Sequence, residues 1–159
     1  MKTIKLEDYM YKVFTLFWVD SLEKEEVATR KFIKDLLSSS KIKIEDGNLS
    51  ISRAPSVNEN IDIEVNIPRY TVFYYKANPS NNGVEVDYGL KSFSKLKEAE
   101  KEIKKIYYDK SDYAILLKGL SSVIYRLVTK DSDGLSEPVY INQELGRYNK
   151  LFIQYYDND

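Results

Sequence analysis

The chain has 159 residues, 43% of them hydrophobic, which suits a single domain, residues 1–159, with a core of its own. Lysine and arginine number 24 against 25 acids, a net charge of −1, so there is neither the basic excess of a dedicated nucleic-acid binder nor the acidic excess of a DNA mimic. Cysteine and histidine are both absent, which excludes disulfides, thiolate and imidazole metal sites, cysteine nucleophiles and serine–histidine triads.

Leu6 to Val19 carries two signals. Leu6, Tyr9, Met10, Val13 and Phe17 follow helical spacing behind Glu7 and Asp8, yet Val13 to Val19 is dense in β-branched and aromatic residues. Helix is favoured over strand. Asp20 with Glu23 reads as an N-cap with a reaching glutamate, opening a second helix that runs to about Leu37. Its apolar stripe is Leu22, Ala28, Phe32, Ile33, Leu36 and Leu37, and Arg30 belongs to its charged remainder. A hairpin follows, with Ile42 and Ile44 before an Asp46-Gly47-Asn48 turn and Leu49 and Ile51 after it.

Arg53 to Asn60 is a polar loop. Ile61, Ile63, Val65 and Ile67 then alternate with Asp62, Glu64 and Asn66, the pattern of a half-buried strand, which Pro68 ends. Tyr70 to Ala77 is an aromatic-rich strand, Asn78 to Gly83 a turn, and Val84, Val86 and Tyr88 the inward positions of a return strand. Ser94 caps a helix to about Tyr108 with Leu96, Ala99, Ile103 and Ile106 inward. Tyr113 to Lys118 and Val123 to Thr129 are strands around Gly119, Asp131 to Gly134 is a loop, and Val139 to Ile141 and Tyr148 to Tyr156 are final strands. The fold class is therefore α+β: a mostly antiparallel sheet with two or three helices and a central β-β-α-β-β unit, Tyr70 to Thr129.

The candidate sites are of three kinds. Asp62, Glu64, Glu85 and Asp87 lie on the wet sides of two strands, and would form one acidic patch if those strands shared a sheet. The plainer reading is a solvated sheet face. The helix from Ser94 carries Lys97, Lys101, Lys104 and Lys105, with Lys91 and Lys95 nearby; several share a face suited to phosphate or an acidic partner, although Glu98, Glu100 and Glu102 are interleaved. Tyrosine is the most unusual feature, with 14 copies. Paired tyrosines on a strand face opposite ways, so Tyr74 or Tyr75, Tyr88 and Tyr155 are candidate anchors for a protein or a base. Asp131 to Gly134 departs from a calcium loop in its glycine position and lacks the later glutamate, and no glycine-rich phosphate loop occurs. No cofactor and no metal are expected.

The leading expectation is a non-enzymatic protein that binds another macromolecule, most simply a protein, and blocks it sterically. Lysine, asparagine, isoleucine and tyrosine have A/T-rich codons, which suits an accessory protein of a phage or mobile element directed at a host defence system, in the manner of anti-CRISPR proteins. The alternative is a nucleic-acid-binding module that sets the lysine helix on phosphates and stacks bases on the strand tyrosines. A carboxylate-only enzyme with a divalent metal ranks last. The apolar run Val13 to Val19 is too short for a membrane span, and Glu7 and Asp8 interrupt any secretory signal, so a cytoplasmic location without membrane contact is expected. Leu151 to Tyr156 is the candidate edge for a homodimer.

Overall fold

The computed structural model describes residues 2–17, 26–54, 60–80, 83–108, 113–120, 122–128, 139–142 and 147–148. Chain order is β1 (Thr3–Lys5), α1 (Leu6–Phe17), α2 (Glu26–Ser38), β2 (Ser40–Glu45), β3 (Asn48–Arg53), β4 (Glu64–Asn66), β5 (Tyr70–Ser80), β6 (Gly83–Phe93), α3 (Leu96–Tyr108), β7 (Tyr113–Lys118), β8 (Ser122–Val128), β9 (Val139–Asn142) and β10 (Arg147–Tyr148). Among the described residues, eight strands form one antiparallel sheet in the order β10-β9-β8-β7-β5-β6-β3-β2, and β1 pairs with β4 in a separate small sheet. The expected α+β class and the β-β-α-β-β unit, here β5-β6-α3-β7-β8, are both present.

Strand alternation sorts the core onto the two faces of the sheet. Phe73, Tyr88, Leu90, Ile115 and Leu117 face α1 and α2, which bring Leu6, Tyr9, Met10, Val13, Phe14, Ile33, Leu36 and Leu37. The odd-one-out neighbours Val72, Ala114 and Leu116 face the other way, onto Ala99, Ile103 and Ile106 of α3. The layers are thus helix pair, sheet, single helix. A β-bulge in β8 shifts the pairing from Leu116↔Tyr125 to Leu117↔Val123 and leaves Ile124 without an opposite residue. Ile124 and Tyr125 consequently both join the α3 core, although they are adjacent in sequence.

Several elements differ from the sequence reading. Helix spacing prevails in α1, because Tyr9, Met10, Val13 and Phe14 all reach zero exposure on one side. In α2 the buried residues are Thr29, Ile33, Leu36 and Leu37; Ala28 is exposed and Phe32 is 44% exposed, so the stripe is rotated from the expected one. Phe32 still touches the core with one edge, its ring 5.8 Å from that of Phe14. The expected cap at Asp20 and Glu23 and inward Leu22 lie outside the described residues. The alternating run Ile61 to Ile67 keeps its polarity, but only Glu64–Asn66 is strand, paired with β1 rather than with the large sheet. Strands β5 and β6 continue through the expected turn at Asn78, pairing as far as Ser80↔Gly83. The first backbone bond of α3 runs from the Ala99 N–H to the Lys95 carbonyl at 3.3 Å, so Lys95 holds the N-cap position and Ser94 precedes it. Of the expected final strand, Tyr148 pairs in β10; the expected loop Asp131 to Gly134 and the expected edge Leu151 to Tyr156 lie outside the described residues.

The hairpin matches its signature. Asp46 and Gly47 both have positive φ, 52° and 79°, and Glu45 pairs with Asn48, so the loop is a two-residue turn of the I′ kind. Gly119, at φ 59°, turns β7 into β8 and donates its N–H to the Arg69 carbonyl at 2.8 Å.

Arg30 ties the helix pair together. Its Nη1 donates to Glu7 Oε2 and Asp8 Oδ1, each at 2.8 Å, its Nε donates to Glu26 Oε1 at 3.0 Å, and its guanidinium lies 4.6 Å from the Tyr11 ring centre. The carboxylates of Asp8, then Glu7 and Glu26, raise its pKa further above the usual arginine range. Below the helices, the buried Tyr9 hydroxyl meets Thr71 Oγ1 on β5 at 2.7 Å. Burial pushes the Tyr9 phenol well above its ordinary pKa, and the Thr71 bond lowers it only in part; burial likewise raises Tyr88. A raised phenol pKa contributes stability below the unfolded value of about 10 that is lost as pH climbs past it. Stability of the wild-type chain should therefore fall more steeply above about pH 10 than that of Tyr9→Phe, measured by urea unfolding across the alkaline range. Parallel slopes would show that Tyr9 ionises freely in the folded chain.

Candidate functional site

Helix α3 covers only part of its side of the sheet. It packs on β5 and β7, with a smaller contact to β6. By the observed register, the α3 side of the remaining strands carries Asp87, Gly89 and Lys91 on β6, Ser50 and Ser52 on β3, and Lys41, Lys43 and Glu45 on β2. Among the described residues no helix lies over these positions, and their polarity is that of a sheet face left to water. Where α3 ends its cover, a groove of about 500 Å³ opens between helix and sheet. Its floor is Ser50, Ser52, Tyr74, Asp87 and Gly89, and its helical wall is Glu102, Lys105 and Ile106. Lys91 Nζ and Glu102 Oε1, 3.5 Å apart, bridge floor and wall.

Gly89 shapes the groove floor. It pairs with Tyr74 across β5 and β6, and a Cβ at Gly89 would stand 2.8 Å from Tyr74 Cζ and 3.0 Å from its hydroxyl oxygen. The tyrosine ring therefore lies across the glycine, held in the groove with part of its surface open to solvent. The groove can offer hydroxyls, one carboxylate–lysine pair, a second lysine and an aromatic plane.

Of the expected anchors that are among the described residues, Tyr74 lines this groove and Tyr75 and Tyr88 do not. Tyr75, its neighbour, is half-buried against the α1–α2 core on the opposite face, as strand alternation requires. Tyr88 is not available as an anchor. It is buried, and its Oη lies 2.6 Å from Ser40 Oγ, 3.1 Å from the Leu36 carbonyl and 3.2 Å from the Ser39 carbonyl, so its hydroxyl is spent inside the hydrogen-bond cluster at the end of α2. Tyr155 lies outside the described residues.

The lysines divide. Lys97 and Lys101 are exposed and Lys104 half-buried, and helical spacing sets these three on the side of α3 away from Ala99, Ile103 and Ile106. Lys105, one residue on, faces the groove instead. The tyrosine and the lysine trio therefore do not form one surface. The acidic patch is also not assembled: Glu64 belongs to the small β1–β4 sheet with Asp62 just before it, whereas Glu85 and Asp87 belong to β6 of the large sheet. Among the described residues no three acidic side chains come together as a metal-binding group. Asp87 contributes to the groove.

Sequence reasoning missed Ser50, Ser52, Gly89 and the pairing of Glu102 with Lys91 as parts of a site, and named Lys105 and Lys91 with the lysine helix rather than with this groove. Two signals pointed toward them. Lysines alternate with isoleucines on one arm of the hairpin and serines with Leu49 and Ile51 on the other, marking a wet face, and a lone glycine in a strand marks a close approach. Among the described residues no helix is long and apolar enough to cross a membrane. No family model, curated protein or solved structure matches the chain.

Proposed function

We propose that the chain is a non-enzymatic binding protein whose contact surface is the uncovered face of β6, β3 and β2 together with the groove beside α3. The observation that carries this reading is the half-covered sheet: a face flanked by a helix, with Tyr74 as a rigid, partly open ring among hydroxyls and charges of both signs. Interfaces favour such a ring as an anchor inside a polar rim. Mixed charge favours a protein over a polyanion, since Lys41, Lys43, Lys91 and Lys105 are met by Glu45, Asp87 and Glu102 on the same side. The partner we have in mind is a host protein that the chain blocks sterically, as a phage or mobile-element inhibitor of a defence system would; the A/T-rich residue usage is what points there.

The test compares variants on the two sides of α3. Ser52→Trp fills the groove from an exposed position, and Lys97→Glu changes the outer side of the helix. In captures from host lysate treated with nuclease, a defined protein should remain bound to wild type and to Lys97→Glu, and its recovery should fall about tenfold or more with Ser52→Trp, the loss expected when a central contact is blocked. Bound material that vanishes with nuclease, and with Lys97→Glu, would transfer the function to nucleic acid.

A further inference from the structure

Strand β2 ends the large sheet, and among the described residues no strand pairs with its outer side. An edge of this kind presents backbone groups ready to extend the sheet. The two-residue hairpin determines which groups these are. Glu45 and Asn48 flank the turn as a closely bonded pair, so Glu45, Lys43 and Lys41 spend their backbone groups on β3, and Ile44, Ile42 and Ser40 turn theirs outward. The side chains are correspondingly unfinished. Ile44 is 53% exposed, Ile42 is half-buried, and Lys41, Lys43 and Glu45 are exposed.

We propose that β2 pairs antiparallel with β2 of a second copy of this chain, about a twofold axis through Lys43. The charge pattern selects this register. Centred on Lys43, Lys41 stands opposite Glu45 of the other copy on both sides of the axis, and Ile42 stands opposite Ile44, whose outward backbone groups are the ones in phase to bond. Centred instead on Ile42, Lys41 would meet Lys43 twice, and cross-strand like charges are unfavourable. Two residues further along, at Ile44, the overlap shrinks to a few residues at the turn. That register also sets Lys43 opposite Glu45, but over fewer residues of β2, so the Lys43 register is the one that joins opposite charges, apolar side chains and bonding phase over the longer overlap. Lys43 facing its own copy is the one unfavourable pair, and it keeps the dimer weak. An interface this short falls below the usual size of stable complexes, which corresponds to dissociation on the order of 100 μM. The twofold preserves the faces of the sheet, so the two uncovered faces would adjoin, but the pairing does not depend on what those faces bind.

Sedimentation equilibrium of the full chain from micromolar to millimolar concentration tests this. Wild type should show a concentration-dependent monomer–dimer equilibrium. Lys41→Glu and Glu45→Lys should each weaken the dimer roughly tenfold, by replacing opposite charges with like charges at both cross-strand pairs, and the double exchange should restore it to within about threefold. Lys43→Thr should tighten it several-fold by removing the central repulsion. Within the monomer Lys41 pairs with Ser52 and Glu45 with Asn48, so neither reversal breaks a cross-strand charge pair of its own fold. A wild-type chain that stays monomeric throughout, or a dimer that ignores all three substitutions, overturns the proposal.

Discussion

Phe73→Ala should lower the unfolding free energy by about 3–5 kcal/mol in urea titration, the largest single loss expected from a core truncation. Phe73 sits on β5, between β6 and β7 at the middle of the sheet, and has zero exposure. Its ring meets Phe14 of α1 edge-on, with centroids 5.2 Å apart and planes at 70°. All three neighbours are held by other elements: Phe14 by its own helix turn, Leu90 and Ile115 by paired strands. The site therefore cannot collapse readily into the space left behind, and a poorly relaxed cavity is costly. Phe32→Ala, at a ring 44% exposed, should cost far less, under about 1.5 kcal/mol. Equal losses at the two positions would mean that α1 does not seal this face of the sheet.

Gly89→Ala should destabilise the fold by about 1–3 kcal/mol, the cost of forcing a packed neighbour aside. The sign is what makes this informative. A glycine in an ordinary strand position gains roughly 0.5–1 kcal/mol when replaced by alanine, because the unfolded chain loses freedom. Here the added Cβ would enter the ring of Tyr74, and that ring would have to leave the groove floor. In a Tyr74→Ser background the same substitution should become neutral or stabilising, a coupling readable in a double-mutant cycle. If Gly89→Ala were stabilising in the wild-type chain, Tyr74 would not lie across the glycine, and the groove as described would lose its aromatic floor.

Much of the local structure was legible in the residues. Ala99, Ile103 and Ile106 follow one helical stripe, and all are buried. Asp46-Gly47 supplies the two positive φ angles that a tight hairpin needs. Tyr70 to Lys118 reads as strand, strand, helix, strand because its apolar period changes from two to 3.6 and back. In each case the signal and the structure act over the same few residues.

The errors share a different cause. The alternation of Ile61 to Ile67 correctly named a wet and a dry side, yet could not say that β1 rather than the large sheet would be its partner, so Asp62 and Glu64 were grouped with Glu85 and Asp87. Tyr88 is polar at its tip and sits in a strand of alternating polarity; only the arrival of α2's last turn over β6 makes its hydroxyl an internal one. Arg30 looked like a solvated charge until α1 brought Glu7 and Asp8 to it from more than twenty positions away. Which side of each element is apolar can be read from the residues, because it depends on a repeat of two or 3.6 residues within one segment. Which element covers that side, and which is left bare to form the groove beside α3 and the open edge of β2, was decided by the tertiary structure. That choice depends on strand order and register, which are settled by contacts between residues distant in the chain.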